Sequence, residues 1–247
     1  MEKGATWFRA ILAANGLSID DSQCDVLDRY CTLLLDWNRK INLISRRSED
    51  TIWEEQILQS ISFLTRIKLK ASASVIDIGT GGGLPGIPLK ILMPGLSLTL
   101  VDSIGKKINA VQSIIQSLGI SGIEAVWSRA EDFNGNRNEK EKKFFDYVIC
   151  RGVGQLEDLW EYGYPLLLNI SSIQGKMLMK SQAQSAARIF IEPGVILALK
   201  GGDIQEEIVK LERRKKKIAI TVIDVSLRII GKLENNKKKI IIMRPVK

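Results

Sequence analysis

Val75-Ile76-Asp77-Ile78-Gly79-Thr80-Gly81-Gly82-Gly83-Leu84-Pro85-Gly86 is an apolar run that enters a glycine-rich turn and then a helical pattern. Glycines belong in such a turn because a side chain would block the approach of a ligand to the backbone, and because the turn needs unusual φ/ψ. The physical reading is a nucleotide-like ligand at the carboxyl end of a strand. Residues Gly81 to Gly86 satisfy the G-x-G-x-x-G pattern of dinucleotide sites. Against a dinucleotide stand Asp77 two residues before the first glycine, Leu84 where the frame from Gly79 wants its last glycine, and Pro85 crowding the place of a pyrophosphate.

The next apolar run, Leu98-Thr99-Leu100-Val101-Asp102, puts a carboxylate about twenty residues past the glycines, where it can accept from both ribose hydroxyls. An adenosyl group is served by that acid in either cofactor. The D-x-G-x-G-x-G form favours S-adenosylmethionine, which has no phosphate to cradle.

Around this centre, short β-rich runs alternate with helical patterns from residue 71 onward. That alternation forces crossovers and a mostly parallel sheet. Expected strands are 74–78, 97–101, 124–127, 147–150, 195–199, 218–225 and 239–243, the last two forming an antiparallel hairpin at one edge. Ser103 is expected to cap a helix with Ile104, Ile108, Val111, Ile115 and Leu118 on its apolar face, and Asp203 with Glu206 resembles a capping box. Residues 1–70 read as a helical extension: apolar positions from Leu27 to Ile41 keep helical spacing within 20–47, with shorter patterns at 7–14 and 52–67. The domain reading is thus 1–70 helical and 71–247 α/β.

Two further strand ends face the same crevice. Ser128-Arg129-Ala130-Glu131 offers a backbone amide and a carboxylate for an adenine, and Cys150-Arg151-Gly152 offers a guanidinium beside the cofactor or a phosphate. Lys106 and Lys107, at the carboxyl edge of the sheet, are candidate phosphate contacts for a polyanionic partner; a solvated first helical turn is about as good a reading.

Bulk properties narrow the class. Thirty-six basic against 28 acidic residues give a net charge of +8, which favours a polyanionic partner. Histidine is absent, which removes imidazole general bases, Ser-His-Asp triads and most zinc sites. The three cysteines, Cys24, Cys31 and Cys150, are too scattered for a disulfide framework or a metal site. No signal peptide or membrane-length apolar run is present, so a cytoplasmic monomer without metal is expected. The basic runs 213–217 and 237–239 read as solvated helix ends or loop tips.

Taken together, these segments closely resemble the bacterial ribosomal RNA small-subunit methyltransferase G family, also called the glucose-inhibited division protein B group. The resemblance rests on Asp36-Trp37-Asn38 with Ile41-Asn42-Leu43, on Asp77 to Pro88, and on Leu100-Val101-Asp102-Ser103 followed by Gly105-Lys106-Lys107. It continues through Arg129-Ala130-Glu131, Phe145-Asp146 leading to Arg151, and Leu197-Ala198-Leu199-Lys200-Gly201. It implies a Rossmann-like class I S-adenosylmethionine-dependent methyltransferase with a seven-stranded sheet, acting on N7 of one guanine in the decoding-region loop of 16S ribosomal RNA. It also implies cofactor contacts at Gly79, Leu84, Ala130, Glu131 and Arg151, with Asp102 and Ser103 at the ribose; the D-x-G-x-G-x-G reading adds Asp77, Gly81 and Gly83, and no catalytic residue is assigned.

Three features depart from that family's pattern. Gln56 and Gln59 stand where a His-x-x-Asp pair is usual, Gly152 replaces an alanine after the arginine, and residues 169–192 read as an insertion. The first departure keeps open a contrasting reading: a methyltransferase-fold RNA-binding or ribosome-assembly protein with altered substrate or little catalysis.

Overall fold

The computed structural model describes residues 4–135, 138, 140–168, 188–229 and 232–246. Two helices, α1 (Ala5–Ala14) and α2 (Asp21–Asn38), open the chain. Asp20 caps α2 in a reciprocal capping box with Gln23, satisfying two otherwise orphaned donors. The segment Ile52–Thr65 is helical throughout but irregular: a π-helical stretch (Ile52–Leu58), a short α3 (Gln59–Ile61) and a 3-10 turn (Ser62–Thr65). It leads into β1 (Ile67–Lys68).

The α/β part then runs β2 (Ser74–Ile78), α4 (Gly86–Leu92), β3 (Ser97–Asp102), α5 (Gly105–Leu118), β4 (Ile123–Trp127), β5 (Tyr147–Arg151) and α6 (Leu156–Gly163). It closes with β6 (Ile189–Phe190), β7 (Val195–Gly201), α7 (Gln205–Arg214), β8 (Ile218–Ile229) and β9 (Lys232–Pro245). The large sheet has seven strands in the order β4-β3-β2-β5-β7-β9-β8, parallel from β4 to β7, with β9 antiparallel to β7 and β8 antiparallel to β9. All seven expected strands lie in it, and the terminal hairpin is at its edge. β1 and β6 form a separate two-stranded parallel ladder that the sequence reading did not anticipate.

Strand alternation divides the apolar core between two faces. Val75, Leu98, Leu100, Tyr147, Ile149, Leu197 and Ile242 pack with residues of α1, α2, α4 and α5. Ile76, Ile78, Val101, Val148, Ile196, Ala198 and Met243 pack with α6 and α7. The N-terminal helices therefore share one continuous core with a face of the sheet: Phe8, Leu12, Leu27, Tyr30 and Leu34 are buried within it.

The helix expected within 20–47 is α2, which ends at Asn38. Two expectations need correction. Ser103 makes no cap at α5; the carboxylate of Asp102 accepts from Ile104 N instead, at 2.9 Å. At α7 the Asp203 carboxylate accepts from Gln205 N at 2.9 Å, without the reciprocal bond of a capping box. The expected insertion at 169–192 falls, up to residue 187, outside the described residues.

Candidate nucleotide-binding crevice

The parallel order reverses beside β2, which has β3 on one side and β5 on the other. Open α/β sheets bind ligands at such a switch point, outside the carboxyl ends of the strands. The glycine turn stands there. Gly79 N and Thr80 N both donate to the carbonyl of Val101, at 2.8 and 3.0 Å, which ties the turn to the end of β3. Gly79, Gly81 and Gly83 have φ of 69°, 57° and 93°, in the left-handed region that disfavours a side chain.

Asp77 is fully buried below this turn. Its Oδ2 accepts from Thr80 Oγ1 at 2.7 Å and from Gly86 N at 3.0 Å, joining the strand to the first residue of α4. Its Oδ1 is buried with no hydrogen-bond partner within the protein. Burial pushes the carboxyl up to about 7, although the bonds from Thr80 and Gly86 and the field of Arg151 act in the opposite direction. A buried acceptor without a donor is costly and marks a place where a donor is wanted.

Asp102 closes β3. Its Oδ2 accepts from Gly81 N at 2.9 Å while its Oδ1 accepts from Ile104 N, so one carboxylate orders both the glycine turn and the start of α5. Ser103 and Lys106 are exposed and Lys107 half-buried on the adjoining surface. After β4, Ala130 is buried and Glu131 is exposed, 3.8 Å from Arg129. Leu84 is buried in the turn, and its peptide with Pro85 is cis. The structure thus gathers the ends of β2, β3, β4 and β5, with all ten expected cofactor contacts, along one edge of the sheet.

Arg151, the last residue of β5, is directed toward the N-terminal segment. Its Nη1 donates to the carbonyl of Glu55 at 3.0 Å and its Nη2 to Gln56 Oε1 at 2.6 Å. Burial lowers its pKa, and the fields of Tyr30 and Asp77 act against that shift. Gln56 is buried and serves as an acceptor for this guanidinium; Gln59 is half-buried.

Sequence reasoning assigned no role to Tyr30 or Asn38, yet both shape the crevice. Tyr30 is fully buried, and its hydroxyl donates to the carbonyl of Gly82 at 2.9 Å. Asn38 Oδ1 accepts from Leu43 N at 2.8 Å and Ile44 N at 2.9 Å, and its Nδ2 donates to Glu49 Oε1 at 2.6 Å. The loop so fastened covers the glycine turn: a Cβ at Gly82 would stand 2.7 Å from Leu34 Cδ1 and 3.3 Å from Leu43 Cβ. A polar residue at the end of a helix was the available signal, since side-chain amides there bond to nearby backbone.

The switch-point crevice with paired acids on neighbouring strands places the protein among the Rossmann-like methyltransferase folds. A solved structure described as a mutant of MtNAS in complex with S-adenosylmethionine shares this fold, with a TM-score of 0.52 at 11% identity, covering 88% of this chain and 73% of that one. The family model described as GidB, rRNA small subunit methyltransferase G, matches residues 23–192. Curated relatives named ribosomal RNA small subunit methyltransferase G are similar over nearly the whole length. The one from Desulforamulus reducens is 32% identical, covering 95% of this chain and 88% of the relative. The one from Chlorobaculum tepidum is 33% identical, covering 93% of each. The chain belongs to the rRNA small subunit methyltransferase G family.

Proposed function

We propose that the protein transfers the methyl group of S-adenosylmethionine to N7 of a guanine in the decoding-region loop of 16S ribosomal RNA, free or in the small-subunit particle, as a cytoplasmic monomer. Family membership supports the reaction. The observation that carries the cofactor assignment is the unpartnered Oδ1 of Asp77 beneath the glycine turn.

The residues present suit this cofactor. The ammonium of its methionine part is the kind of donor the orphaned Asp77 oxygen lacks. Each oxygen of Asp102 accepts one backbone N–H and keeps a lone pair for a ribose hydroxyl, with Ser103 alongside. At Gly81 a Cβ would meet only the Leu43 carbonyl at 3.7 Å, so space is left open above the turn. Gly79, Gly83 and Leu84 would complete the cradle, Ala130 and Glu131 would flank the adenine, and Arg151 would face the methionine end. When bound, S-adenosylmethionine supplies an electrophilic methyl on a positively charged sulfur.

Guanine N7 has a free lone pair in the neutral base, so no proton has to be removed before attack. A chain without histidine can therefore work by positioning: the glycine turn and two acids fix one reactant, basic residues hold the other, and proximity lowers the barrier. Within this reading, residues 1–70 are a helical extension that walls the crevice, 71–247 are the methyltransferase domain, and 169–192 are an insertion. No helix among the described residues is long and apolar enough to cross a membrane, and no metal-binding cluster occurs among them.

The deciding experiment incubates the protein with methyl-labelled S-adenosylmethionine and unmodified small-subunit RNA, free and in particles, and maps N7-methylguanine. Labelling of one guanine in the decoding-region loop is expected. Cofactor binding without transfer to RNA would overturn the assignment in favour of a non-catalytic RNA-binding or assembly protein.

A further inference from the structure

We propose that Trp127 is a stacking platform for an unpaired base of the RNA substrate; the proposal rests on the ribosomal RNA reading above and identifies a surface that reading leaves unassigned. Trp127 is the last residue of β4 and lies opposite Asp102 in the sheet register, at the same edge as the crevice. It is 71% exposed, the most exposed large apolar side chain among the described residues.

The ring is nevertheless fixed. Its Nε1 donates to the carbonyl of Ser103 at 3.1 Å. The indole also packs on the backbone of Gly105: a Cβ there would stand 3.1 Å from both Cδ2 and Cε2. An exposed aromatic that is already held in one orientation loses little further entropy when a flat partner stacks on it. The glycine at the first position of α5 is what permits the ring to lie so close.

The surroundings identify the partner. Lys106 follows Gly105 and Arg129 lies two residues beyond Trp127; both are exposed, and Lys106 forms no ion pair among the described residues. Arg129 lies 3.8 Å from Glu131, a loose and exposed pair, and an exposed aromatic face with exposed cations close by in the chain is the chemistry of single-stranded nucleic acid, where the ring takes a base and the cations take phosphates. Duplex RNA is held through phosphates and 2′-hydroxyls and has no free base to offer such a ring. A protein partner would call for a wider apolar patch than Trp127 with the 39% exposed Ile104.

The test measures binding of a fluorescein-labelled single-stranded oligoribonucleotide with the decoding-loop sequence by anisotropy, and of S-adenosylmethionine by calorimetry, for the wild type, Trp127→Ala and Trp127→Phe. Loss of one base stack predicts about tenfold weaker RNA binding for Trp127→Ala, with Trp127→Phe within about threefold of the wild type. Cofactor affinity should be unchanged in both, which also reports an intact fold. Unchanged RNA binding in Trp127→Ala overturns the proposal, as does an equal loss of cofactor affinity, which would assign the ring to the adenosyl pocket. If the wild type methylates ribosomal RNA and Trp127→Ala binds it normally, only the platform fails. A wild type that binds the oligoribonucleotide with a Trp127-dependent affinity but methylates no RNA overturns the reaction alone, and a wild type that binds no RNA overturns the platform.

Discussion

Gln56 and Arg151, 95 residues apart in the chain, are joined by a 2.6 Å hydrogen bond from the guanidinium Nη2 to the amide Oε1. The bond fastens the irregular helical segment before the α/β part to the end of β5. Gln56, itself buried, thereby supplies a neutral acceptor to the half-buried Arg151 guanidinium, whose pKa burial lowers. Hydrogen bonds to charged groups contribute about 1.5–3 kcal/mol. Gln56→Ala is therefore expected to lower kcat/KM for methyl transfer about tenfold or more, and Gln56→His, which keeps an uncharged acceptor nitrogen, to lose less. Steady-state kinetics with ribosomal RNA compares the two, and equal losses would show that the acceptor is immaterial.

Asp77 makes the protein pH-sensitive in a direction opposite to that of a salt-bridged acid. Its carboxyl is raised to about 7 by burial, while in the unfolded chain it titrates at about 4. Between those values the native state holds a proton that the unfolded state has released. The contribution of Asp77 to stability is therefore full below about 4 and declines as pH rises to about 7. Melting of the cofactor-free protein across this range should show a downward slope that Asp77→Asn reduces. With the cofactor's ammonium favouring the ionised acid, affinity for S-adenosylmethionine should rise between about pH 6 and 8 in the wild type and stay flat in the variant.

Asp102→Ala removes the acceptor for Gly81 N and Ile104 N together. Calorimetry is expected to show cofactor affinity reduced more than about tenfold, since the ribose contacts and the shape of the turn are lost at once. A loss below about threefold would exclude a ribose role.

Gly86→Ala puts a methyl group 2.3 Å from Leu100 Cδ2 and 2.9 Å from Asp77 Oδ2, at the junction of turn and helix. Overpacking of this kind costs about 1–3 kcal/mol. A fall in melting temperature of several degrees is expected, together with weakened cofactor binding, whereas Gly119→Ala meets nothing within 4 Å and costs only its left-handed φ of 68°.

Much of this was legible in the sequence. Strand and helix alternation gave the seven-stranded sheet, because buried parallel strands must be apolar and short and their crossovers helical. Asp77 and Asp102 were legible because a fixed spacing on two consecutive strands is a local property. What was not legible depends on partners distant in the chain. Nothing near Gln56 indicates that it meets Arg151, and nothing near Tyr30 indicates that its hydroxyl reaches Gly82. The end of α2 within 20–47 was not legible for a different reason: Ile41 continues the apolar spacing, but the Asn38 side chain takes the backbone N–H groups of Leu43 and Ile44 and turns the chain away. The Trp127 platform also escaped the sequence, in which Trp127 simply ends an apolar strand.

The bond from Tyr30 to the Gly82 carbonyl has a consequence for modularity. Because a helix of the opening segment holds the backbone of the glycine turn, and Leu34 and Leu43 roof it, the α/β part is not a portable cassette. A chain begun near residue 71 would retain the acids of the crevice while losing its ceiling, and any graft of this module onto another scaffold must carry its helical preface along.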